Sequence, residues 1–582
     1  MKFMLRFIRR HLGMFLTAMF FLTVETFADL LQPAMMSYIV DKGVKSGDVG
    51  QILVFGGIML GIAAMGAFGA VMRNIYASRT SQIIGKEMRL EIYAKVQTLS
   101  FENIDRLQPS SIITRITNDV TQIQNFINGS MRIMMKAPVT CIGAIVLVIV
   151  QTPRQFPMMV VILCVSACLI AGNMRLGYPR FGRLQKKLDR LNGVSREFLS
   201  AIRVVKAFRA EEQEEVKFRA ASEDFAQAGI SAMRVMAVFA PLINLAVNLG
   251  IVVLLWLSGS QPSGEIGRLM ASVNYMTQVL FAMGMVSNIL NTAVRAVASS
   301  QRVEEILREE PAQKQPSPIQ TSGSQEKEIQ GSVAFVDVSF TYASTARPAV
   351  EHITFEVRPG ETIGLIGPTG SGKSTLMDLV PRFYDATLGK VLIDGEDVTQ
   401  IENRRLRSAI AVVPQKALLF SGTIAENLRW GDGEASDEEI RRAAAAACAD
   451  EFISGFPEGY ATDLDQGGVN LSGGQKQRLC IARALLKKPK ILILDDCTSA
   501  LDAATEARVL QGLKGEAAGM TVLLISQRIS TVMRTDRILC MEDGRVQGYG
   551  SHQELLYSCR TYRSIYESQI GAAPGREEVV YG

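Results

Sequence analysis

The sequence predicts a multidomain chain: an all-α bundle of six membrane-crossing helices, followed by an α/β domain. Three features point there. Apolar segments long enough to cross a bilayer crowd the first half of the chain, a polar tract rich in Pro, Ser and Gln follows at 309–330, and short β-rich runs separated by Gly turns fill the remainder. Hydrophobic residues make up 48% of the 582 and charged residues 20%, and the mean hydropathy of +0.17 averages two unlike halves. These values exclude a disordered tail, a disulfide mini-scaffold and a collagenous repeat. The 62 basic and 57 acidic residues are too balanced to argue for a nucleic-acid partner.

Six spans are read, at 14–39, 51–75, 131–151, 156–176, 235–257 and 267–295, each near the length of about 20 residues that a bilayer demands. The run before them, with Lys2, Arg6, Arg9 and Arg10 among apolar residues, reads as an amphipathic helix at the membrane interface rather than a cleaved signal. The loops after spans 1, 3 and 5 are short and poor in base, whereas the segments between spans 2 and 3 and between spans 4 and 5 are long and rich in Lys and Arg. Positive charge marks the cytoplasmic side, so both long segments and both chain ends are expected inside a cell (inner) membrane. The implied division is a membrane domain at 1–308, a linker at 309–330 and a soluble domain at 331–582. Strands are expected at Val333–Phe340, Thr362–Ile366, Ala411–Val413, Ile491–Leu494 and Thr521–Ile525.

Within the membrane half, Glu25 and Asp29 lie four apart on one face of span 1, and acids at that depth usually face an interior. With Asn274 and Gln278 of span 6 they are the candidates for a substrate path, the alternative for the two acids being structural hydrogen bonding to neighbouring helices. Cys164 and Cys168 share a helical face and read as buried free thiols. None of the eight cysteines forms C-x-x-C, and only three histidines occur (His11, His352 and His552), so a zinc site is not expected.

The soluble half carries the chemistry. Gly367-Pro-Thr369-Gly370-Ser371-Gly372-Lys373-Ser374-Thr375 matches G-x-x-x-x-G-K-[ST] between a strand and an apolar helix. Glycines let backbone N–H groups turn inward around phosphate oxygens, Lys373 reaches the terminal phosphates, and the Ser374 hydroxyl ligates Mg²⁺. The apolar strand ending in Asp495-Asp496 supplies the acid for the metal shell, Asp495.

Between these lies Leu471-Ser472-Gly473-Gly474-Gln475, which resembles the signature of ABC-transporter nucleotide-binding domains. The other motifs resemble the same family. Tyr342 in VSFTY looks like its adenine-stacking aromatic, Gln415 in VVPQ its Q-loop glutamine that senses Mg²⁺, and Ser499-Ala-Leu-Asp502 its D-loop. The membrane half is similar to that of exporter-type half-transporters, with Ser110–Asp119 and Arg203–Phe208 resembling the first and second intracellular loops. The resemblance implies ATP and Mg²⁺ as cofactors, and a dimer in which Ser472, Gly473, Gly474, Gln475 and Asp502 complete the ATP site of a second half-transporter. It also implies transport of a small molecule, lipid or peptide across the bilayer.

Two residues depart from the family pattern. The position after the Walker B aspartate, usually Glu, is Asp496, and the switch position, usually His, is Gln527. A carboxylate shorter by one methylene retreats by about 1.5 Å, a misplacement that can cost on the order of 10²-fold in rate. The resemblance therefore implies a site of this chain that binds ATP but hydrolyses it poorly, beside an intact signature, as in the degenerate subunit of heterodimeric multidrug exporters. An importer on the same fold, and an ATP-binding membrane regulator or channel, are the alternatives. Gln466-Gly467-Gly468, where the family often has Glu-Arg-Gly, and Ser110, where Gly is common, are lesser departures.

Overall fold

The computed structural model describes residues 2–153, 156–259, 266–313, 328–516 and 519–571. The chain forms two compact units, Met1–Gln97 with Ser110–Arg308 and Thr98–Pro109 with Glu309–Gly582. Residues 314–327 of the expected linker, and most of the loop after span 5, lie outside the described residues.

The first unit is helical throughout. Five helices are long and apolar enough to cross a membrane among the described residues: Leu12–Val44, Val49–Thr98, Pro109–Gln151, Phe156–Ser200 and Glu211–Trp256. The sixth predicted span falls on the helix Ile266–Arg308, part of whose side chains lie outside the described residues. The N-terminal segment Lys2–Arg10 is an amphipathic helix. Its apolar face, Met4 and Phe7, is buried within the protein, while Arg10 pairs with Glu91 at 2.5 Å on the helix Val49–Thr98. Cys164 and Cys168 are exposed rather than buried. The helix that carries them packs chiefly along Glu211–Gly259, and the two thiols are left outside its contacts.

Two polar clusters tie this unit together. A π-helical turn at Arg115–Asp119 grips the helix Ile266–Arg308: Asp119 accepts from Ser299 Oγ and Arg302 Nε at 2.8 Å each, and Arg115 pairs with Glu305 at 2.7 Å. Deeper along span 1, Glu25 meets Arg73 at 2.6 Å and Lys136 at 2.7 Å, and Lys136 meets Asp29 at 2.8 Å. Two acids and two bases from three helices thus neutralise one another, which is how ionised groups persist in an apolar surround. Gln278 donates to the Asp29 carbonyl at 3.2 Å and Tyr275 to the Leu30 carbonyl at 2.9 Å, whereas Asn274 is exposed. Arg73 and Lys136, at the margins of their spans, went unremarked in the sequence although they complete this cluster.

The second unit is layered. Its main sheet runs in the order Arg545–Gly550, Arg537–Glu542, Thr362–Ile366, Thr521–Ile525, Ile491–Asp495, Ile410–Val413, parallel except for the first edge strand. Its central strands read as unbroken apolar runs because both faces are covered. One face packs on an antiparallel sheet ordered Val350–Val357, Val333–Phe340, Leu388–Ile393, Glu396–Asp397. A second core lies against helices that include Asp437–Ala446, Gly473–Leu486 and Ala503–Glu516. Residues Thr98–Pro109 belong here: Asn103 donates to Glu309 at 2.6 Å, Tyr384 donates to Asp105 at 2.6 Å, and the Phe101 ring lies 4.7 Å from that of Phe383.

The Glu25 cluster generates a stability test. Glu25→Ala strands the buried Arg73 and should cost about 3–5 kcal/mol, read as a lower unfolding temperature of the detergent-solubilised chain. Glu25→Leu combined with Arg73→Leu leaves the Lys136–Asp29 pair intact and should recover most of that loss; equal losses in the two proteins would refute a buried charge pair.

Candidate nucleotide site

Three neighbouring parallel strands deliver the site. Leu365 pairs with Ile525 and Ile525 with Asp495, so the strands before the glycine loop, before Gln527 and before Asp496 end in register along one sheet edge. Open α/β sheets bind ligands beyond the carboxyl ends of such strands.

The glycine loop is fitted closely to its surroundings. A Cβ at Gly367 would overlap the Met541 carbonyl, and one at Gly372 (φ 90°) would lie 2.5 Å from the Ala349 carbonyl. Lys373 opens the helix Lys373–Asp378 and curls over the loop, donating to the carbonyls of Gly367 and Pro368 at 2.8 Å each and to Ser371 Oγ at 3.1 Å. Burial lowers the ammonium below its ordinary range, opposed by the nearby Asp495 and Asp496. Ser374 Oγ donates to Asp495 at 3.0 Å, and Thr375 Oγ1 lies 3.1 Å from the Tyr342 hydroxyl. The Tyr342 ring stands edge-on to Phe340 and Tyr384 at 4.8 and 5.4 Å, half-buried beside the loop helix. Thr369 and Gly370 are exposed at the loop's tip.

Two residues distant in sequence converge on the Asp496 carboxylate. Asp496 Oδ2 accepts from Gln527 Nε2 at 3.2 Å and from Gln415 Nε2 at 3.4 Å. Its backbone lies in the left-handed region (φ 44°), a conformation that aspartate tolerates better than most residues. Burial raises the Asp496 carboxyl, while the Gln527 backbone N–H and the Gln415 amide hold it down. Burial likewise raises Asp495, and the charge of Asp496 adds to the effect.

These residues fit Mg²⁺ and a triphosphate. Ser374 and Asp495 already meet at one point, Gln415 adds an amide oxygen, and all three are the hard oxygen donors that Mg²⁺ takes. The metal, when bound there, neutralises phosphate charge, while the glycine loop and Lys373 orient the phosphates.

The signature lies apart from this pocket. Ser472 caps the helix Gly473–Leu486 in a closed box, its Oγ accepting the Gln475 N–H at 3.3 Å while Gln475 Oε1 accepts the Ser472 N–H at 2.9 Å. Ser472 and Gly473 are exposed, and Asp502 caps the next helix by accepting the Thr505 N–H at 2.9 Å. Two further polar residues, outside the motifs, hold these loops in place. Buried Gln477 accepts the Ala500 N–H at 3.1 Å and donates to Ser499, fastening the D-loop to the signature helix. Gln569, on the last described helix, donates to the Gln527 carbonyl at 2.7 Å and accepts the Ile529 N–H at 2.8 Å, gripping the switch backbone from outside the sheet. Only the polar character of Gln477 beside the signature hinted at a role; nothing marked Gln569.

A pH dependence follows from Asp378, which ends the helix behind the glycine loop. Burial, then the charge of Asp495, pushes its carboxyl up to about 7 from 3.8. The folded chain therefore holds a proton that the unfolded chain releases, so its stabilising contribution is full below about pH 4 and fades as pH rises to about 7. The nucleotide-free protein should unfold at a lower temperature at pH 7 than at pH 5, and Asp378→Asn should flatten part of that slope in thermal melts; an unchanged slope would place the proton elsewhere.

Known proteins share this organisation. Residues 15–283 match the family described as the ABC transporter transmembrane region, and residues 350–499 the family described as ABC transporter. An uncharacterized ABC transporter ATP-binding protein of Bacillus subtilis, YfiB, is 37% identical over 95% of this chain and 96% of its own length. An ATP-dependent lipid A-core flippase of Pseudomonas aeruginosa is 31% identical over 97% and 95%. The structure of a bacterial Atm1-family ABC exporter with ATP bound superposes with a TM-score of 0.78 at 26% identity, covering 98% of this chain and 99% of the other. With both halves matched in the same order along nearly its full length, the chain belongs to the ABC transporters of exporter type, multi-pass membrane proteins that couple ATP hydrolysis to transport.

Proposed function

We propose that this chain is one half of a heterodimeric exporter of drugs, lipids or peptides in the cell membrane, with its N-terminus and ATPase domain on the cytoplasmic side. One observation carries the dimer. The helices Phe156–Ser200 and Glu211–Gly259 pack chiefly on each other, and beyond the predicted spans they and the short helix Ile202–Ala207 with its cap Phe208 expose Tyr178, Leu199, Val204, Phe208 and Val216, with Phe208 80% accessible. Apolar side chains at that position have neither lipid nor this unit's core to cover them, and a partner chain supplies the cover. The exposed, self-capped signature supports the same reading, since Ser472, Gly473, Gly474, Gln475 and Asp502 then meet the partner's ATP.

Heterodimer pairing rests on Asp496 and Gln527. The Asp496 carboxylate is engaged by two amides and stands one methylene short of where a glutamate would polarise water, and Gln527 supplies neither the charge nor the proton response of a histidine. In this reading the chain's own site holds Mg²⁺-ATP as a clamp. The partner's site, completed by the signature of this chain, does most of the hydrolysis. Closure of the two ATPase domains drives the membrane helices from inward to outward access, and hydrolysis resets them. The segments near Asp105–Thr117 and Phe208–Glu214 transmit the movement. The cluster of Glu25, Asp29, Arg73 and Lys136 favours the structural role for Glu25 and Asp29 over substrate contact.

The test is a pair of substitutions in the assembled transporter. Asp496→Asn should lower ATP turnover by less than about threefold, whereas Gln in place of the partner's equivalent Walker B glutamate should lower it by on the order of 10²-fold. Equal losses would overturn the asymmetric reading. Uptake rather than extrusion in inside-out and right-side-out vesicles of known orientation would favour an importer, and an ATP-gated current without net substrate movement would favour a channel regulator.

A further inference from the structure

Glu506, in the helix that follows the D-loop, is 4% exposed and carries a charge that no motif reading uses. Its two oxygens have different duties. Oε1 accepts the hydroxyls of Thr498 at 2.8 Å and Thr531 at 2.7 Å, while Oε2 takes the guanidinium of Arg528. Arg528 directly follows Gln527, and its other nitrogen donates to the backbone carbonyls of Leu501 at 3.1 Å and Ser499 at 3.4 Å. The D-loop is thereby joined to the switch segment by two routes through one carboxylate: Thr498 and Thr531 on one oxygen, and Arg528 with the carbonyls of Ser499 and Leu501 on the other. Gln477 ties the same D-loop to the signature helix. Burying a carboxylate is costly unless it is paired and hydrogen-bonded, and here the partners lie directly before the D-loop (Thr498) or on the segment following Gln527 (Arg528, Thr531).

We propose that Glu506, acting through Arg528, is a positioning residue that couples the switch of this chain's own ATP site to the D-loop serving the partner's site. The link rests on the dimeric reading above, because Asp502 has a second nucleotide to meet only in a dimer. When the switch shifts upon closure around its own nucleotide, the Glu506–Arg528 pair carries the D-loop with it. The two sites then fire in concert rather than independently, even where the chain's own site turns over little ATP.

The test is a double-mutant cycle on ATP turnover of the assembled transporter. Gln527→Ala and Asp502→Ala are combined in the wild-type background and in a Glu506→Gln background. Glutamine keeps the oxygen that serves Thr498 and Thr531, and with it the fold, and replaces the one that faces Arg528 with a donor, so only the proposed route through Arg528 is cut. Melting temperature and ATP affinity, measured alongside, should stay near wild type. In the wild-type background the two changes should be non-additive by about threefold or more, and in Glu506→Gln they should multiply as independent effects. Persistence of the coupling in Glu506→Gln, and in Arg528→Leu as the second variant, would overturn the link while leaving the dimer standing. An Asp502→Ala change without any effect on turnover would remove the dimeric reading, and the link with it.

Discussion

The soluble half depends on one constraint, that three parallel strands buried on both faces end at a common level. Backbone hydrogen bonding fixes the register of Leu365, Ile525 and Asp495, and a slip by one residue would turn every side chain to the opposite face. With the register fixed, the glycine loop, the acid pair and the switch have nowhere to stand except beside one another. The apolar runs 362–366, 491–494 and 521–525 therefore act on the chemistry from a distance: they bury themselves, and the polar residues that follow are thrown together at the edge.

Electrostatics then tune what the register assembles. Lys373, Asp495, Asp496 and Asp378 share a small, poorly solvated region, and burial moves each toward its neutral form. A site so arranged is primed for an added cation and polyanion, which restore the charge balance that burial has disturbed. In the membrane half the same problem is solved internally. Glu25, Asp29, Arg73 and Lys136 cancel one another across three helices, so the unit needs no ligand to neutralise them. Two further clusters, around Asp119 and around Glu506, repeat that solution where separate helices or loops meet.

Much of this was legible in the sequence, and the reasons for success and failure are physical. Motifs whose function is local, such as the glycine loop, the signature and the acid-ended strand, are readable because their geometry depends on residues a few positions apart. The departures Asp496 and Gln527 are readable for the same reason. Cys164 and Cys168 are exposed where burial was expected, because an apolar stripe states that a surface avoids water, without stating whether lipid or protein covers it. Arg73 and Lys136 drew no notice because a base near the end of a span normally snorkels to the interface, and only their approach to Glu25 gives them another role.

By itself, the sequence determined the two-part architecture, the phosphate-binding and signature motifs and the residues at which this chain leaves the family pattern. All of these are encoded in periodicity or in short spacing. Only the tertiary structure decided which polar groups meet: Gln415 and Gln527 on Asp496, Gln569 on the switch backbone, Glu506 on Arg528 and two threonines, and Arg73 on Glu25. The physical reason is that a hydrogen bond or ion pair between residues far apart in the chain leaves no periodic trace. Its partners are chosen by the register of buried strands and the stripe on which helices pack.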